Sequence, residues 1–186
     1  MSHRRFVVEL IKPSHYDDGY VIQWAKSWVP SNSLACLYAI ARDAAARQVL
    51  GPDVEIEINA YDECHTVIPI KKIARRLKAA DGGLVCLVGV QSNQSPRAMA
   101  IAEQFRDEDI QVAAGGFHIS GCLSMLPELP ADIAAMRDIG VSLFAGEAEG
   151  RLASLFVDAQ RPAAADLQLH ERPPRLAEAG DAVSAG

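Results

Sequence analysis

Ile110-Gln-Val-Ala-Ala-Gly-Gly-Phe-His-Ile-Ser120 decides the reading of this chain. An apolar run of strand length, Ile110–Ala114, ends on two adjacent glycines, Gly115 and Gly116. Glycine carries no Cβ and tolerates positive φ, so a ligand or another backbone can lie directly on the chain there. In open α/β sheets, ligands bind outside the carboxyl ends of the strands. The stretch therefore points to a carrier of something large and flat, or of a long nucleotide-like tail.

Similar apolar runs recur at Phe6–Ile11, Val54–Ala60, Leu84–Val90 and Val141–Ala145. Several are almost continuously apolar, as strands buried on both faces of a parallel sheet require. Val54-Glu-Ile-Glu-Ile58 instead alternates, which suits an edge strand with one wet face. Between the runs lie helical patterns. Ser33–Val49 has Asn32 and Ser33 as candidate caps, and Gly51-Pro52 stops it. Ile68–Ala79 places Ile70, Ile73, Ala74 and Leu77 on one stripe. Pro96–Arg106 follows Ser95, with the serine capping and Pro96 in the first turn. Met125–Ile139 and Glu147–Ala159 complete the set. Strand and helix alternate throughout, which predicts an α/β flavodoxin-like, doubly wound, five-stranded parallel sheet of order 2-1-3-4-5. The domain spans residues 1–160. The Ala/Pro/Gly-rich remainder, 161–186, reads as a disordered tail or linker.

The 186 residues are 49% hydrophobic and 23% charged, which suits one soluble domain with a proper core. A net charge of -6 argues against a nucleic-acid partner, which needs a basic face. Cys36, Cys64, Cys86 and Cys122 are widely spaced and form no CxxC or CxxxCxxC cluster, so neither zinc nor an iron–sulfur cluster is expected. No signal peptide or long apolar span is legible, so the expected setting is a reduced cytoplasm with no membrane contact.

The loops after the strands hold the candidate chemistry. Lys12–Ser31 is long for a compact domain and carries Pro13, Ser14, His15, Tyr16, Asp17, Asp18, Trp24 and Trp28. Its aromatics could wall a flat pocket; alternatively Trp24 and Trp28, four apart, form one helix face on the core. Gly89-Val-Gln-Ser-Asn-Gln-Ser95 offers Gln91, Ser92 and Asn93 at a helix start. His118 follows the double glycine, either facing a ligand or bonding its own turn. Gly146 and Glu147 follow the last strand, where acids also suit a helix start. GxGxxG, the P-loop and GxSxG are all missing, as are the acid and lysine of a phosphorylated receiver.

Val88-Gly-Val-Gln-Ser-Asn-Gln-Ser-Pro-Arg-Ala98, Ala102-Glu-Gln-Phe-Arg106, Val112-Ala-Ala-Gly-Gly-Phe-His-Ile-Ser120 and Leu143-Phe-Ala-Gly-Glu-Ala-Glu-Gly150 together resemble the cobalamin-binding domain of cobalamin-dependent radical-SAM proteins. The likeness spans Phe6 to Leu155. It implies a flavodoxin-like domain with cobalamin at the strand ends. The nucleotide tail would lie beside Ser92, Asn93, Gly115, Gly116 and Gly146, with His118 close by, and the Lys12–Ser31 loop would lie under the corrin.

Related cobalamin carriers place DxHxxG after strand one, its histidine ligating cobalt. Here Pro13-Ser-His-Tyr-Asp-Asp-Gly19 keeps only the histidine, so His15 is the one candidate metal ligand. The triplet for the 4Fe–4S cluster and the barrel for S-adenosylmethionine are missing, so the resemblance implies a module serving a radical-SAM domain or subunit, without a catalytic centre of its own. The rival readings are an α/β interaction or regulatory domain that has lost cofactor binding, and a small enzyme using Asp17, Asp18, His15 or His118 as acid–base groups.

Overall fold

The structure is a computed structural model, and it describes residues 4–24 and 31–160. In chain order the elements are β1 (Arg4–Lys12), β2 (Tyr16–Asp17), β3 (Tyr20–Val21), α1 (Asn32–Ala46), β4 (Val54–Asp62), α2 (Ile70–Lys78) and β5 (Gly82–Leu87). A single 3-10 turn, Ser92–Gln94, then leads into α3 (Ser95–Arg106), β6 (Val112–Gly115), α4 (Phe117–Met125), α5 (Ala131–Asp138), β7 (Val141–Phe144) and α6 (Leu152–Ala159). The five long strands form one sheet of order β4-β1-β5-β6-β7, parallel throughout. This is the doubly wound, flavodoxin-like arrangement that the alternating pattern predicts, with the alternating strand β4 at the edge.

Period-2 alternation divides β1 between the two faces. Phe6, Val8 and Leu10 pack with Leu84, Cys86, Ala113 and Phe144 under α1 and α6. Val7 and Ile11 pack with Val85, Leu87, Val112 and Ala114 under α2, α3 and α5. Phe6 meets Phe156 of α6 with ring centroids 6.2 Å apart, which pins the C-terminal helix across the sheet.

Two helices differ from the sequence reading. The pattern over Met125–Ile139 is not one helix: α4 ends at Met125, and α5 begins after Pro130. Pro127 and Pro130 lie between them; each removes a backbone donor and constrains the residue before it. The last helix starts at Leu152, so Glu147 and Glu149 precede it rather than occupy its first turn. At α1 the cap is Ser31, whose side chain accepts from the Leu34 N–H, in place of Asn32 or Ser33. Ser95 does not cap α3; its hydroxyl goes to Asp132 instead. Trp28 and the segment 161–186 lie outside the described residues.

A charged residue stands in the middle of the central strand β1. Glu9 is fully buried on β1, between Val7 and Ile11. Arg76 of α2 donates to its Oε1 from 3.0 Å, while Oε2 has no partner. Burial pushes the Glu9 carboxyl up to about 7, against the pull of Arg76. A folded-state pKa above the unfolded one means that the native state holds its proton longer, so stability is lost as pH rises from about 5 through 7. Replacing Glu9 by Gln removes the buried charge and keeps an acceptor for Arg76. The melting-temperature difference, Glu9→Gln minus wild type, should therefore be several degrees more positive at pH 8 than at pH 5 in thermal scans. An equal difference at both pH values would refute a titrating Glu9.

Candidate functional site

The chain leaves β5 and β6 through two loops that are bonded to each other. The Val90 N–H donates to the Gly115 carbonyl at 3.1 Å, and the His118 N–H donates to the Val90 carbonyl at 3.1 Å. Gly116 sits inside this clasp with φ +146°, and a Cβ there would lie 2.2 Å from Val90 N and 2.6 Å from Val90 O. Gly116 is thus required by backbone against backbone, and the ligand approach expected for it is not what demands glycine. Gly115 is different: its Cβ would meet Phe144 Cβ and O at 3.3 Å, a tight but adjustable contact.

On the α1/α6 side of the clasp a cavity of about 290 Å³ opens at the strand ends. Its floor is Leu10, Cys86, Ala113 and Phe144, and its walls include Leu37, Ile40, Leu152 and Leu155. Polar groups at its edge are Ser33, Gln91 and Glu149, joined by the exposed Cys36 thiol. Burial pushes the Cys86 thiol up to about 12, so the floor is uncharged. Of the residues expected at a site, Gln91, Gly115, Gly116 and Gly146 line this cavity; Ser92, Asn93, His118 and Glu147 are not among its lining residues. Ala148 and Glu149 line it, although the sequence reading singled out their neighbour Glu147.

His118 does not bond its own turn. Its Nδ1 faces the Ser92 hydroxyl at 3.1 Å and its Nε2 faces Asp132 Oδ2 at 2.8 Å. Ser95 donates to the same carboxylate oxygen at 2.6 Å. Burial opposes the charge on Asp132, but the bonds from Ser95 and His118 outweigh it and hold the carboxyl below its ordinary range. Asp132 carries no sequence signal linking it to His118; only the fold joins them.

The Lys12–Ser31 loop is anchored by a second polar cluster. Glu63, 1% exposed, accepts the Ser14 N–H and a forked bond from Arg97 of α3. Arg97 also donates to the Tyr16 hydroxyl and lies over its ring, 5.8 Å from the centroid. The Gln94 side chain donates to the Pro13 carbonyl at 2.9 Å. Pro13, Ser14 and Tyr16 are therefore held by the protein itself. The tip is a hairpin, β2 paired with β3, turning at Asp18 and Gly19 with φ +46° and +82°. Asp-Gly between short strands is a turn signal that the sequence does carry. His15 lies just before it, half-buried, and its carbonyl accepts from Ile22. Trp24 is 61% exposed and so does not pack on the core.

Among the described residues, no group of three or more His, Cys, Asp or Glu side chains is placed to hold a metal ion. No described helix is long and apolar enough to cross a membrane. No protein-family model, curated protein or solved structure matches the chain.

The clasp makes two glycines separable by urea unfolding. Gly116→Ala should cost roughly 3 kcal/mol or more, because backbone must move in a conformation that L-residues rarely adopt. Gly115→Ala should cost about 1 kcal/mol. Equal, small costs would show that the clasp yields easily.

Proposed function

We propose that this chain is a cobalamin-binding module, which holds the cofactor's nucleotide tail in the cavity and presents the corrin ring to a partner active site of radical-SAM type. The observation that carries this reading is a coincidence of two features at one edge. The cavity opens at the carboxyl ends of the strands, where Gly115 and Gly146 leave it unfilled by side chains. The large exposed hydrophobics among the described residues, Tyr16, Tyr20, Trp24, Val67, Phe117, Met125 and Leu126, all belong to segments between a long strand and the next returning helix. A narrow apolar slot beneath an apolar rim suits a flat macrocycle with a tail.

The residues fit such a ligand in kind. Leu37, Ile40 and Leu155 offer apolar walls for a flat base. Ser33 and Gln91 can pair with hydroxyl and amide groups, and Glu149 can accept from a ribose hydroxyl or side-chain amide while disfavouring a phosphate beside it. The corrinoid, when bound, supplies methyl-transfer or redox chemistry. The chain's own part is to bind the tail, orient the ring and keep water from the slot. His15, on the anchored loop, is the candidate lower cobalt ligand.

The test is incubation with hydroxocobalamin, desalting and a visible spectrum. Corrin bands near one equivalent per chain are expected, and bound corrinoid should slow alkylation of Cys36 at the cavity edge. Ala148→Trp, which narrows the slot, should weaken retention by roughly tenfold or more, by analogy with overpacked sites. His15→Ala should alter the spectrum if the imidazole reaches cobalt. A folded protein that retains no colour would move the assignment to an interaction or regulatory domain, for which the same apolar rim would be the contact face.

A further inference from the structure

On the far side of the clasp from the cavity floor, Ser92 of the 3-10 turn, His118 at the start of α4 and Asp132 at the start of α5 form a chain of hydrogen bonds. We propose that Ser92 is a nucleophile, activated by His118 and with Asp132 as the positioning residue, and that this site cleaves carboxylic esters bearing an apolar acyl group. This assignment is independent of what fills the cavity.

The proton arrangement follows from the partners. Asp132 already accepts from Ser95 at 2.6 Å and is ionised, so it presents only an acceptor to His118 Nε2 at 2.8 Å. In the neutral imidazole the proton therefore sits on Nε2. Nδ1 is left with a lone pair, and the Ser92 hydroxyl stands 3.1 Å away to donate to it. That is the division of labour of a Ser-His-Asp triad with the two ring nitrogens exchanged. Cys122 Sγ also lies near Nδ1, at 3.7 Å, but it is buried and burial and then Asp132 keep it a thiol. Ser92 is the closer group and is exposed to solvent. It also opens the 3-10 turn leading into α3.

The acyl class follows from the surroundings. His118, Cys122 and Met125 fall at i, i+4 and i+7 on α4, so Met125 extends the histidine's face. Met125 is 81% exposed and Leu126 49%, an apolar shelf beside the histidine.

The reaction balances with water alone. The Ser92 oxygen bonds to the ester carbonyl carbon as its proton passes to His118 Nδ1. The carbon–alkoxide bond then breaks, and the alcohol leaves with that proton. Water, deprotonated by His118, hydrolyses the Ser92 ester, releasing the carboxylic acid and restoring the hydroxyl.

The test uses an alkyl fluorophosphonate, which forms a Ser O–P bond with loss of fluoride, followed by intact-mass and peptide analysis. Expected is one adduct per chain on Ser92, lost in Ser92→Ala and formed at least a hundredfold more slowly in His118→Gln. Hydrolysis of p-nitrophenyl butyrate should follow the same order. Asp132→Asn should lower kcat with little change in KM, while a structural role alone would lower the melting temperature and leave kcat per folded chain intact. No adduct on Ser92 in folded wild type, or labelling indifferent to His118→Gln, overturns the assignment.

Discussion

The clasp between Val90 and the Gly115–His118 segment is the constraint on which the functional edge depends. Two strands of a parallel sheet end side by side, and their exit loops must both reach helices on one face without leaving backbone groups unpaired. Here the loops share their bonds: Val90 donates to Gly115 and accepts from His118. The space between them is too narrow for a Cβ, which fixes glycine at position 116. With the loops locked, Gln91 and Gly115 are turned to the cavity, and Ser92 and His118 to each other. One backbone contact thus partitions the edge into an apolar slot and a polar relay.

The second constraint is the buried carboxylate of Glu63. It stands one residue beyond β4, and the Ser14 N–H and the Arg97 fork satisfy it from two other elements. A buried ion pair is weak evidence for added stability, since desolvation offsets much of the attraction. Its value is geometric: it fixes the start of the β1–α1 loop relative to α3. Tyr16, under the same guanidinium, extends that fixation to the hairpin, so the apolar rim stands on a braced loop rather than a free one.

The sheet was legible because its signals are local and redundant. Apolar runs of strand length, alternating with helical stripes, admit few topologies, and the single alternating run over Val54–Ile58 places its strand at the edge. The cavity was half legible: Gly115 and Gly146 mark it, but Cys36, Leu37 and Leu155 belong to helices whose inner and outer faces are both largely apolar. The polar clusters were legible only in part: Ser92, His118, Ser14 and Tyr16 stand in the expected loops, but their partners do not stand out. Asp132, Glu63 and Arg97 read in sequence as ordinary helix-start or surface charges, and only their pairing across 14, 49 and 34 residues gives them meaning. Ser95 misled for a related reason. A serine before proline is a good cap, yet the Asp132 carboxylate, a charged acceptor, competes for its hydroxyl and wins.

Gly116 carries the wider argument about reading glycine pairs. A double glycine at a strand end is consistent with a ligand on the backbone and with backbone on backbone, and sequence alone does not separate them. The distances do: a Cβ at Gly116 would stand 2.2 Å from Val90 N, whereas Gly115 faces Phe144 and the cavity. The pair therefore divides two duties between adjacent residues, one holding the loops together and one leaving room beside them. A ligand in the slot would contact the second and depend on the first without touching its missing side chain.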